Sequence, residues 1–244
     1  MNALSMVNEL LSRFNLKEVS VFGGVGTDSN IALRKINLSL QKIYARHPFK
    51  FLHKTSAGSI TAVNGTASYP LAGDVKQLLI GKHTYQNGGW LHVADRQVLE
   101  SYVPKRSDSS QRNTPTHMIL FGKTQSGTSW LWQVELWPVP DSNFNGQVIN
   151  YYYTIVPSDL SATTDVPILP EDFHSVAIDG AEILMRRGPL RVGGDENQIN
   201  LYQAVVNDYE KGILELIRQD SISGMDEGSW EDNRGAIGQV ITTD

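Results

Sequence analysis

The feature that most narrows the fold is a change of hydrophobic period along the chain. Apolar residues recur every three or four positions near both ends and every second position in the middle. The first spacing suits an amphipathic helix and the second a half-buried strand, so the expected order is helix, sheet, helix. Leu4, Val7, Leu10, Leu11 and Phe14 predict a helix over residues 2–14, and Leu33, Ile36, Leu40, Ile43 and Tyr44 a second over 29–46. Between them the loop Gly23-Gly24-Val25-Gly26-Thr27-Asp28 ends in residues whose side-chain oxygens can cap the second helix.

From Phe51 turn residues multiply and the pattern becomes that of antiparallel strands. Asn64-Gly65, between Ile60–Val63 and Thr66–Tyr69, predicts a hairpin, because both residues tolerate the positive φ of a type I′ turn. Trp130 to Trp137 and Val148 to Val156 read as two more strands, expected to be neighbours joined through Pro138–Gly146. Ala94–Tyr102 reads as a short helix, and Lys105–Thr116 as an exposed polar loop.

The last third returns to helix. Pro170, Glu171 and Asp172 mark a helix start, and Arg186-Arg187-Gly188-Pro189 its end. Its packing face is Phe173, Val176, Ala177, Gly180, Ala181 and Leu184, where the small Gly180-Ala181 pair lets another helix approach closely, either Leu33/Ile36/Leu40 or the closing helix. That closing helix is expected from Asp195, with Gln198 placed for a capping box, to about Asp220, burying Leu201, Val205, Tyr209, Ile213 and Leu216. Residues 221–244 are rich in Gly, Ser, Asp and Glu without periodicity and read as a flexible tail. The fold class is therefore α+β: a discontinuous helical bundle from 1–50 and 165–220, with an antiparallel β-sandwich or barrel of residues 51–164 inserted between.

Composition removes several functional classes. A net charge of −5 argues against a sequence-independent nucleic-acid binder, which needs a basic groove. Without cysteine there is no disulfide framework or thiolate metal site, and a reducing compartment is expected. No apolar run approaches the length of a membrane span, so a soluble chain with no membrane partner is expected.

Catalytic chemistry is sparse. The glycine loop lacks the Gly-Lys-Ser/Thr ending of a phosphate cradle, and Gly24-x-Gly26 lacks the third glycine of a dinucleotide fingerprint. His47, His53, His83, His92, His117 and His174 are scattered without ligand spacing, and neither Ser59 nor Ser129 lies in a nucleophile elbow. Asp172 and His174 suit a helix start better than acid–base work, and strand alternation places Glu135 opposite Trp130 and Trp132 rather than in a shared sugar cleft. No catalytic residue, cofactor or metal is assigned. The tail residues Met225, Trp230, Ile237, Val240 and Ile241 are candidate docking residues toward a partner protein or a neighbouring subunit, with aromatic Trp230 as anchor.

The order of several segments resembles phage head-to-tail adaptor proteins over residues 29 to about 217. They are Ile31-Ala32-Leu33-Arg34-Lys35-Ile36-Asn37, Tyr69-Pro70-Leu71, Leu136-Trp137-Pro138-Val139-Pro140-Asp141 followed by Val148–Tyr153, Ile168-Leu169-Pro170-Glu171-Asp172-Phe173-His174 with Gly180-Ala181, and Leu201-Tyr202. The resemblance implies a non-enzymatic virion protein of the neck, assembled in the host cytoplasm. It also implies a dodecameric ring joining portal protein to tail nozzle or tail fibre proteins, with DNA passing through its channel unbound. The helix before residue 15, a polar insertion at Ser107–Asn113 and the tail after Asp220 depart from that pattern. Another tail component, such as a tail-completion or tail-tube protein, and a carbohydrate-binding or hydrolytic tail protein are the alternatives.

Overall fold

A computed structural model describes residues 1–79, 83–85, 89–94, 97, 112–127, 129–187 and 196–222. The fold is mixed α+β, with four α-helices and nine strands among those residues. The chain divides into two compact units, residues 1–50 with 158–244, and residues 51–157.

In the first unit, α1 spans Ala3–Ser12, α2 Asp28–Arg46, α3 His174–Arg186 and α4 Glu196–Ile222. The Asn2 side chain caps α1 by accepting from the Ser5 N–H at 2.9 Å. Two further free N–H groups at that end, those of Ala3 and Leu4, donate to the carbonyls of Asp165 and Thr163. Thr27 caps α2, as its place at the end of the glycine loop predicts. Helix α3 is buried on nearly every side: besides Val176, Ala177 and Ala181, it buries Ile178, Ile183 and Met185. It packs against α1, α2 and α4, which is why a single stripe understates its apolar surface. Phe173, Val176, Gly180 and Ala181 are buried and Leu184 is half-buried.

A buried carboxylate ties α1 to α3. Glu182, 3% exposed, accepts from Arg186 at 2.7 and 2.9 Å through one oxygen and from Arg13 at 3.0 Å through the other. Arg13 also donates to Asp179 at 2.6 Å and Glu9 at 2.9 Å. Burial alone would lower the Arg13 pKa, but Asp179 and Glu182 outweigh it and hold the guanidinium charged.

The start of α3 differs in detail from expectation. A 3₁₀ turn over Glu171–Phe173 precedes it, and neither Pro170 nor Phe173 supplies a side-chain cap. Helix α4 buries Tyr209, Ile213 and Leu216, but Leu201 is 53% exposed and Val205 half-buried. The apolar stripe continues past the packed part of the helix, which periodicity alone does not reveal. Asp220, near the other end of α4, accepts from the Lys50 N–H at 2.8 Å, while Lys50 Nζ donates to its carbonyl at 2.6 Å.

In the second unit, β1 is Gly58–Thr61, β2 Ser68–Pro70, β3 Val75–Leu78, β4 His83–Tyr85, β5 Trp90–Ala94, β6 His117–Ser126, β7 Ser129–Trp137, β8 Val148–Tyr151 and β9 Tyr153–Ile155. Seven form a sheet in the order β1-β8-β4-β5-β6-β7-β2, and β3 pairs with β9. The pairing corrects three expectations. Asn64-Gly65 does turn the chain, with Gly65 at φ +75°, yet β1 and β2 form no hairpin, because β1 pairs with β8 and β2 with β7. The turn instead lies along the Pro138–Gly146 connection, where the Gly65 N–H donates to Pro140 at 2.9 Å and the Asn64 N–H to the Asn145 side chain at 3.0 Å. Consequently β7 and β8 are consecutive but not neighbours, and the run to Val156 breaks at Tyr152 into two strands belonging to different sheets. Finally, β5 and β6 pair in parallel, so the large sheet is not purely antiparallel.

The edge strands β1 and β2 are joined by residues 62–67 alone, so the sheet must curl to bring its edges within reach of one short turn. No ladder joins them, and among the described residues neither sheet closes. One core cluster contains Val75, Leu78 and Tyr153 from the small sheet together with Ile60, Val134, Leu136 and Ile149 from the large one. A smaller cluster of Ile119, Trp137 and Val139 forms separately. Thus the base of β7 is buried on both faces, Glu135 included, rather than on one face as simple alternation implies. Most of Ala94–Tyr102 and residues 105–111 lie outside the described residues, Ala94 itself ending β5.

Two substitutions test the packing of the helical unit. A side chain at Gly180 would meet Ser39 Oγ of α2 and, at 2.7 Å, the Tyr209 ring of α4, so Gly180→Leu should cost on the order of 1–3 kcal/mol by overpacking. Unchanged urea stability would show that the helices do not meet there. Glu182→Ala should cost roughly 3 kcal/mol, since removing one member of a buried ionic cluster leaves its partners uncompensated; a loss below about 1 kcal/mol, the range of surface pairs, would place the cluster in solvent.

Candidate functional site

The β unit carries a two-stranded ribbon as its candidate interaction element. Strands β6 and β7 pair from His117↔Trp137 to Ser126↔Ser129. At the base β5 flanks β6 and β2 flanks β7. Beyond Gly122, where the register shifts and φ is +149°, the strands form a ladder only with each other among the described residues, and from outside the ribbon the Leu71 N–H donates to the Trp132 carbonyl at 2.7 Å. An isolated two-stranded ribbon is marginal in water. This one is supported by Trp132, packed against the main core with Lys123 Nζ 4.6 Å from its ring centroid. Trp130, nearer the tip, is 61% exposed, and Trp90 on β5 is 62% exposed. In the helical unit Ile199 and Leu201 are exposed on the first turns of α4. Each unit therefore presents large apolar side chains to solvent.

The three tryptophans of β7 do not converge on a cleft: Trp130 is exposed, Trp132 joins the main core and Trp137 lies in the smaller cluster. The glycine loop is occupied by its own bonds, with Thr27 Oγ1 donating to the Gly24 carbonyl at 2.9 Å and the Gly23 N–H to Ser29 Oγ at 3.0 Å. Among the described residues no group of three or more His, Asp or Glu side chains could hold a metal ion. No described helix is long and apolar enough to cross a membrane. The tail residues Met225, Trp230, Ile237, Val240 and Ile241 lie outside the described residues.

Two clusters were invisible in the sequence. His92 and His117 face each other on the parallel strands with ring centroids 5.9 Å apart, although they are far apart in the chain. Asp74 accepts from Lys54 at 2.9 Å and from the Tyr153 hydroxyl at 3.0 Å. Burial and that carboxylate push Tyr153 up to about 12, while the Lys54 and Tyr153 bonds overcome burial and hold Asp74 below its ordinary value. Neither cluster contains an activated nucleophile.

His174, at the start of α3, is 2% exposed. Its Nε2 lies 2.8 Å from the Leu169 carbonyl and therefore carries the hydrogen. Its Nδ1 is free to accept from the Met1 ammonium at 2.8 Å, which also donates to Glu171 at 3.0 Å. The ring is thus a connector between the start of α1 and the start of α3.

The chain matches a family model described as SU10 adaptor protein over residues 1–229, a span that covers the β unit and all but the last fifteen residues of the helical unit. No curated protein matches it.

The His174 environment sets a pH dependence. Burial first, and the neighbouring Met1 charge next, lower its pKa below 6.5 against the opposing Leu169 bond. A depressed folded pKa means the unfolded chain binds the proton more readily, so this contribution is fully present above pH 6.5 and is lost as pH falls through the folded value. Stability by urea titration should therefore decline below pH 6.5, and His174→Gln should remove part of that slope. An unchanged slope would show that the ring is not held neutral.

Proposed function

The chain belongs to the SU10 adaptor protein family, and from that premise we propose that it is a non-enzymatic head-to-tail adaptor. Family membership makes it a structural adaptor protein of a phage, with its place in the virion neck. In the finer reading, subunits form a dodecameric ring that joins portal protein to the tail nozzle or fibre proteins and leaves a channel for DNA. The helical unit acts as a bundle and the two sheets as a sandwich around one core. The observation that carries the reading is the family match across 1–229, supported by the physics of a ring. A ring subunit must offer its neighbours two different surfaces, and exposed apolar side chains occur in both units, at Trp90 and Trp130 and at Ile199 and Leu201. A net charge of −5 suits a channel that must not grip DNA. The tail residues Met225, Trp230, Ile237, Val240 and Ile241 serve as the arm that orders against the portal or a neighbouring subunit, Trp230 being its anchor.

Native mass and imaging of the purified protein, with and without portal, test this. A closed ring in the presence of portal is expected, with attachment weakened by Trp230→Ala and lost on truncation after Asp220. A chain that stays monomeric beside assembled portal would overturn the ring, and undiminished attachment of the truncated chain would overturn the arm.

A further inference from the structure

Among the described residues, the outer face of α2 and the neighbouring helices line an open groove. Ile183 and Leu184 of α3 with Val206 and Tyr209 of α4 line it, and its volume is about 420 Å³. Lys42 and Arg46 of α2 and Arg187 after α3 also line it, with Glu210 as the opposing carboxylate, bound to Arg46 at 3.0 Å. The groove thus combines an apolar lining with an excess of positive charge. It calls for an occupant with an apolar side chain set between acids.

The chain carries such a segment. Residues 223–244 contain Asp226, Glu227, Glu231, Asp232 and Asp244 against the single Arg234, five acids and one base, for a net −4. Trp230 stands between the two acidic pairs. The segment also starts in the right place. Asp220 is bonded to Lys50 and lies 3.4 Å from His47, just beyond the end of α2, so the chain leaves α4 close to the last turns that carry Lys42 and Arg46. From Ile222 back along α4 to Val206–Glu210 is about 18–24 Å at 1.5 Å per residue, and Ser223–Trp230 in extended form spans about 26 Å.

We infer that in the free subunit the acidic segment around Trp230 folds back along α4 and occupies this groove, with Trp230 on the apolar lining and the acidic pairs against Lys42, Arg46 and Arg187. The same arm that reaches outward on assembly is then held by its own subunit beforehand, and docking requires its release. The inference concerns the isolated chain and stands whether or not the ring reading holds.

Because the chain has no cysteine, a full-length Ala45→Cys/Ser229→Cys variant can be labelled with spin probes at those two positions alone. A short, narrow distance is expected at low salt. It should broaden at high salt, where exposed charges are screened, and in Lys42→Glu/Arg187→Glu. Combining that pair with Glu231→Lys/Asp232→Lys should restore it, which separates a specific contact from a folding defect. A broad distribution in the parent chain, or a short distance that ignores both charge reversals, would overturn the inference. So would a short distance that disappears on dilution with unlabelled chain, since the groove would then hold another copy's arm.

Discussion

A carboxylate removed from water must be matched by charge and hydrogen bonds, and Glu182 imposes that demand on the helical unit. It sits on the helix with the most neighbours, so its partners must come from whatever packs there. Arg186 supplies one from the next turn of the same helix and Arg13 the other from the end of α1. Because Arg13 also holds Asp179 and Glu9, the cluster fixes how α1 lies on α3. Burial raises the Asp179 pKa against the pull of Arg13, so the cluster is most favourable where its desolvation cost is covered by complete pairing. On the opposite flank Gly180 permits the close approach of Ser39 and Tyr209. Charge orients one side of α3, and the missing side chain sets the spacing of the other.

The β unit depends on a different constraint. The backbone groups of β1 and β2 need partners, and β8 and β7 supply them from the two ends of the Pro138–Gly146 connection. The Asn64-Gly65 turn therefore lies beside that connection, and the Tyr69 hydroxyl, donating to the Thr66 carbonyl at 2.9 Å and accepting from the Val63 N–H at 2.9 Å, holds it there. Asp141 prepares the other side by accepting from the Asn143 and Phe144 N–H groups, which turns the buried Phe144 into the core. A curled but open sheet follows from these local bonds.

Much of this was legible in the residues. The helices near 3–12 and 28–46, the cap at Thr27, and the strand over 129–137 all follow from period and capping chemistry, which act within a few residues. The β6–β7 ribbon was only half legible: Trp130 and Trp132 mark the strand, but how much of it a neighbour covers depends on β2 and β5. The His92–His117 pair and the Asp74–Lys54–Tyr153 cluster left no signal, since nothing in local spacing links residues that meet only through a ladder.

The sequence by itself determined the four helices, the strand segments around Ile60, Tyr69, Trp130–Trp137 and Val148–Val156, and the family, because each of these is written in short-range pattern or in the order of segments, whereas β3, β4, β5 and β6 carry no such pattern. Only the tertiary structure decided which strand pairs with which, that β5 runs parallel to β6, that α3 is covered on nearly every side, and that Leu201 is exposed while Glu135 is buried. The physical reason is that a period of two or of 3.6 states that a face will be covered without stating by what. An Asn-Gly turn likewise reverses the chain without choosing the strands that satisfy its flanks.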